Sequence, residues 1–268
     1  MNKSAGEGIT IADASSAVFT NETFRYNTNI TKFNEFNYFT KANNNPPGEL
    51  FNGCTNLIEI NLNDVSIISN NEFQGTGITE INAPSLSSLG AQAFNSSKAK
   101  RIISLGNITS IPDRCFGYCT DLETVILPSS VTSIEQGGFM NNESLTTINL
   151  NNITSIGNSG FSSCNLLNIN VSNLSNIITL GGGVFERCYN IYGELNLPKL
   201  VSAGNNCFDS CGSITKVKCI GKLTSIPERF IPRVSNGTSS LTEVYLPYEC
   251  TSLGVNAFHR CGNLTTIK

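Results

Sequence analysis

Hydrophobic residues return along this chain at one phase. Phenylalanines stand at Phe51, Phe73, Phe94, Phe116, Phe139, Phe161, Phe185, Phe208, Phe230 and Phe258, with spacings of 22, 21, 22, 23, 22, 24, 23, 22 and 28 residues. The same order of apolar and polar positions follows each one, most completely in FGYCTDLETVILP over 116–128 and VTSI over 131–134. Within this unit the IxL segment alternates with period two, which predicts a short strand with one buried face. VTSI predicts a second, shorter extended piece. Gly or Pro at Gly90, Pro112, Gly157, Gly181, Gly204, Pro227 and Gly254 supplies the turns between them.

A unit of about 22 residues cannot bury its own Leu, Ile and Phe, so the units must stack and share one interior. The pattern predicts a solenoid of about ten coils, with parallel strands on one face, short strands and turns on the other, and a Phe column inside. At 4.7 to 4.9 Å per coil its length is on the order of 45 to 50 Å.

Ala93-Phe94, AFHRCGNL over 257–264 and LTSIP over 223–227 resemble the BspA-like leucine-rich repeat. The resemblance covers roughly 50–268. It implies a right-handed solenoid with its IxL strands in a parallel sheet, as in surface-exposed adhesion proteins of gut and oral bacteria and of parasites. The family also occurs in proteins carried by phages. Two departures mark weak points in register: Lys100 stands where Leu is usual, and Cys219 where a strand Leu is expected. The interval after Phe230 is long, so the loop Ser235, Asn236, Gly237 through Ser240 is expected to bulge outward.

Before Leu50 the period fades, and an aromatic cluster of Phe33, Phe36, Tyr38 and Phe39 takes over. We read 30–49 as an aromatic N-terminal cap and loop, 1–29 as an extension able to serve as an anchoring arm, and 50–268 as the repeat domain. Solenoids need terminal units with a polar outer side. The other end stops at 264–268 inside an expected strand, so either the sequence is a piece of a longer protein or this edge pairs with another copy or an assembly partner.

Candidate chemistry is sparse. Six of the ten cysteines share one phase, Cys54, Cys119, Cys164, Cys188, Cys211 and Cys261, which reads as a buried turn position taking a small, semi-polar residue. Cys164, Cys188 and Cys211 fall in consecutive coils, at a distance that a disulfide tolerates. One His and no CxxC argue against zinc. His259 lies on a repeat turn without a nucleophile partner in the pattern, so no enzyme and no cofactor are expected. A net charge of −3 gives no footprint for nucleic acid, and no window reaches the apolar length for membrane insertion. Residues 1–20 carry no export signal. The expected location is a cell surface if a leader was removed, and otherwise a virion.

What varies between units is the outward side of the IxL strand. Its flanking pairs read Glu59 and Asn61, Glu80 and Asn82, Ile102 and Ser104, Thr124 and Ile126, Thr147 and Asn149, Asn168 and Asn170, Glu194 and Asn196, Lys216 and Lys218, Glu243 and Tyr245. Parallel strands would align them into two columns on an open face, with Ile102, Ile126 and Tyr245 as exposed apolar contacts. Charge looks segregated, Glu59 and Glu80 early and Lys216 and Lys218 late, which suits a partner of mixed charge. The expected role is recognition or adhesion toward a protein or surface glycan. The alternative is a structural virion component displaying the solenoid.

Overall fold

The computed structural model describes residues 23–36, 48–231 and 239–268. They form a parallel β-solenoid of about nine turns. One face carries the strands Lys32–Phe33 and Glu59–Ile60, then Glu80–Asn82, Arg101–Ser104, Thr124–Val125 and Thr147–Ile148, then Tyr192–Asn196, Ser213–Cys219, Glu243–Val244 and Thr266–Ile267. A second face carries Ser110–Ile111, Ser133–Ile134, Ser155–Ile156, Thr179–Leu180 and Ser202–Ala203 as its longest ladder. Within each ladder, a strand pairs in parallel with the equivalent strand of the adjoining coil.

The Phe column forms the third side of the interior. From Phe24 through Phe51 to Phe208, successive rings lie 5.3 to 5.7 Å apart between centroids and stack within 22° of parallel. Phe230 closes the column edge-on against Phe208, at 89°. Each of these buried rings contributes about 1.5 to 3 kcal/mol of burial. Phe258, in the last coil, is only half-buried against the core. The backbone ties this side together as well, since Phe73, Phe94 and Phe116 donate their N–H to Ala93, Cys115 and Gly138 of the next coil. To make these bonds the residue two before the ring takes a left-handed conformation, even where it is not Gly: Asn71, Gln92 and Arg114 have φ of 55°, 56° and 47°.

Three sequence expectations change in the folded chain. The coil after Phe94 reaches its strand one residue early, so Ala99 takes the buried Leu position that had been assigned to Lys100. Parallel pairing then aligns Ile81, Ile102 and Val125, which carries Ile102 inward to 4% exposure and leaves Ile103 outside at 50%. Ile102 is therefore a core residue, not part of the outward face. The lost residue is regained at a bulge opposite Asn82, and Leu105 returns to the interior. A similar register shift next to Asn196 pairs that residue with Cys219 and lets Ile220 fill the core in place of Cys219.

Residues on both sides of position 30 pack against the first coils. Phe24 stacks on Phe51 at 5.4 Å, Tyr26 donates its N–H to Asn52, and Phe36 packs edge-on against both Phe51 and Phe73. Residues 1–22, Tyr38, Phe39 and the loop Ser235, Asn236 and Gly237 lie outside the described residues.

Candidate recognition face

The outward residues of the first face come together as expected from strand alignment, but their charges are not segregated. Glu59 meets Lys32 at 2.6 Å and accepts from Asn34 Nδ2 at 3.2 Å. Arg101, which the sequence pattern had not singled out, donates through Nε to Glu80 at 2.8 Å. Lys216 pairs with Glu243 at 2.9 Å, and Lys218 pairs with Glu194. Each pair joins adjacent coils, so the face carries ion-paired rungs instead of an acidic and a basic half. The Lys32 bond and then Asn34 hold the Glu59 carboxyl below its ordinary range; Lys216 and then Tyr245 do the same for Glu243, which in turn raises Lys216. In solvent such pairs fix side chains more than they stabilise the fold.

The remaining predicted residues divide by what they bond. Asn61 Oδ1 accepts from the Asn63 N–H at 3.1 Å, and Asn82 Nδ2 donates to Asn63 at 3.3 Å. Asn149 exchanges two bonds with the Leu127 backbone, 2.6 and 3.0 Å, substituting for strand pairing there. Tyr245 donates to Glu243 at 3.0 Å beneath the Lys268 ammonium, which lies 5.4 Å from its ring. Ser104 is half-buried; Thr124, Thr147, Asn168 and Asn196 are exposed, and Ile126 is exposed to 72%.

A feature missed from sequence is an interruption of the sheet. The strands Thr147–Ile148 and Tyr192–Asn196 are not joined in one sheet, because the coil between them turns into the 3₁₀ helix Val171–Leu174. Asn170 caps it by accepting from the Ser172 N–H at 3.0 Å. Gly193, at φ 101°, keeps the next coil clear of the Asn170 side chain. The signal was present in the interval of 24 residues between Phe161 and Phe185.

Seven of the ten cysteines are buried in the interior. The Sγ atoms of Cys54, Cys119, Cys164, Cys188 and Cys211 donate to the carbonyl of the Phe one coil back at 2.9 to 3.2 Å. Asn142 Nδ2 fills the same role toward Phe116 at 3.0 Å. None of the ten cysteines is joined in a disulfide. Burial pushes Cys119 up to about 11 and Cys164 and Cys207 to about 12, so these groups stay protonated, the inert form. His259 is exposed on its turn. Among the described residues no group of three or more His, Cys, Asp or Glu is placed to hold a metal, and no helix is long and apolar enough to cross a membrane.

Stacked coils, two parallel ladders and one shared apolar column define a leucine-rich-repeat solenoid. The chain belongs to the BspA type leucine rich repeat family, whose repeat region matches residues 47–168 and 154–268 in six copies. No curated protein matches this sequence. Among solved structures it is similar to a leucine rich repeat protein of T. pallidum, with 23% identity, 63% of this chain and 79% of that one covered, and a TM-score of 0.53. It is also similar to the pneumococcal vaccine antigen PcpA, with 14% identity, 82% and 64% covered, and a TM-score of 0.50. A leucine rich cell surface protein of Faecalibacterium prausnitzii shares 21% identity over 83% and 75% of the two chains, with a TM-score of 0.44.

Proposed function

We propose that this chain is a non-catalytic recognition module, carried at a cell surface, that binds a protein or a surface glycan through the open parallel-sheet face. The observation that carries this reading is a contrast between two sides of the same strands. Inward positions repeat as Ile81, Val125, Leu195, Val217 and Val244, all buried, whereas the outward residues beside them change from coil to coil. Selection for folding alone would leave that outward side free to be uniform. Ligand recognition on an extended solenoid surface uses this kind of variation. Family membership supports the same reading, since the resemblance described above implies surface adhesion.

The test is capture of the labelled chain on a printed array of glycans and extracellular-matrix proteins. A face variant carrying Thr124→Arg, Ile126→Arg, Lys216→Glu and Lys218→Glu changes no buried side chain, and circular dichroism checks its fold. Capture by the parent chain should fall by tenfold or more in this variant, about 1.4 kcal/mol. Equal capture by a folded variant would reject the face.

A further inference from the structure

The interruption between Thr147–Ile148 and Tyr192–Asn196 opens a cleft across the face. It comprises two adjoining cavities of about 450 and 280 Å³ that share Thr147 and Asn168. No charged side chain lines either one among the described residues. The ion-paired rungs stand on both sides of it, Arg101 with Glu80 before the cleft and Lys218 with Glu194 after it. Six of its fourteen lining residues are asparagines. Asn168, Asn173 and Asn190 are exposed, and within the described residues their side-chain amides make no hydrogen bond, unlike Asn149 and Asn170 beside them. Tyr192 borders the smaller cavity with 43% of its surface exposed.

We infer that this cleft binds a neutral oligosaccharide, through the unbonded Asn168, Asn173 and Asn190 carboxamides and the exposed ring of Tyr192. The inference rests on the recognition reading above and narrows it to one site and one ligand class. A sugar hydroxyl both donates and accepts, and a carboxamide offers two donors and an acceptor with two lone pairs. A tyrosine ring presents an apolar face to the C–H side of a pyranose and keeps a hydroxyl for its edge. Other ligand classes fit less well. A nucleic acid requires cations, and calcium requires six to eight oxygens with carboxylates among them. A peptide anchor requires a desolvated apolar pocket, whereas Leu166 of the larger cavity is itself exposed to 50%, and Leu150 and Ile169 of the smaller one are already buried in the core. The cavity sizes fall near the range of about 300 to 1,000 Å³ typical of small-molecule sites.

The probes are maltotetraose, cellotetraose, mannotetraose and chitotetraose, with tetragalacturonate as a charged counterpart, read by saturation-transfer NMR on the full chain. At least one neutral probe should show transfer. Tyr192→Ala should weaken it about tenfold and Tyr192→Phe should retain it, which separates loss of the ring from loss of the fold. Asn168→Asp together with Asn190→Asp should also weaken it. Silence from all four neutral probes, equal transfer from tetragalacturonate, or transfer that survives Tyr192→Ala overturns the inference. If the oligosaccharides fail while array capture stays sensitive to the face variant, the cleft is rejected and the recognition face stands. If array capture is insensitive to the face variant, the face itself is rejected.

Discussion

Glu72 precedes its ring where the coils on either side place Leu50 and Ala93. It is fully buried, and neither carboxylate oxygen has a hydrogen-bond partner. Burial pushes its carboxyl from an ordinary 4.5 up to about 8, the nearby Leu50 backbone opposing the rise without cancelling it. The folded chain therefore holds this proton more tightly than the unfolded chain. Its contribution is most favourable below pH 4.5 and is lost progressively as pH rises to about 8. At about 1.36 kcal/mol per pH unit, the loss reaches about 3 kcal/mol at pH 7 and about 5 kcal/mol above pH 8. Glu72→Ala removes that linkage but also removes buried methylenes, at a cost of about 1 to 2 kcal/mol. The difference between the two chains must then change sign: the variant is less stable than the parent at pH 4 and more stable at pH 8 and 9, crossing over near pH 5 to 6 by this arithmetic. Urea midpoints of both chains at pH 4, 7 and 9 give the answer, with Glu72→Gln as a variant whose stability should not follow this titration. A stability difference that is the same at all three pH values would refute an unpaired buried carboxyl at this position.

Other substitutions probe the rest of the solenoid. Phe139→Ala removes a ring stacked on both Phe116 and Phe161 and should destabilise the chain by about 3 to 5 kcal/mol in urea unfolding; a loss under about 1 kcal/mol would mean that the column does not hold the coils. Gly106 sits at φ 57°, where a methyl would overlap the Leu86 carbonyl oxygen, so Gly106→Ala should cost about 1 to 3 kcal/mol, seen as a lower melting temperature. Cys164→Ser preserves a donor toward the Phe139 carbonyl, 3.0 Å away in the parent chain, and should be milder than Cys164→Val, which removes one of that carbonyl's two donors and leaves it Asn142 Nδ2 at 2.9 Å. Iodoacetamide applied to the native chain should modify only Cys219, Cys250 and Cys261, the thiols that are not buried; mass spectrometry showing native-state labelling at Cys164 or Cys188 would contradict their burial.

The regular coils were legible in the sequence because each apolar side chain reports its own side of the strand. FxxCxxLxxIxL read at period two placed Leu122, Val125 and Leu127 inside and Thr124 and Ile126 outside, and the folded chain has them there. Legibility failed where a coil gained or lost a residue. Around Ala99 to Leu105, several apolar residues compete for the inward positions, and the string IIS gives local hydrophobicity no means of choosing Ile102 over Ile103.

Sequence by itself thus determined the period, the aromatic column, the parallel stacking and most of the inward positions, because hydrophobic spacing within one coil is a local property. Tertiary structure decided the register at the bulges, the pairing of Arg101 with Glu80 and of Lys218 with Glu194, and the interruption beside Asn168. Those depend on hydrogen bonds and ion pairs between residues 21 to 27 positions apart, which exist only once one coil has been laid on the next.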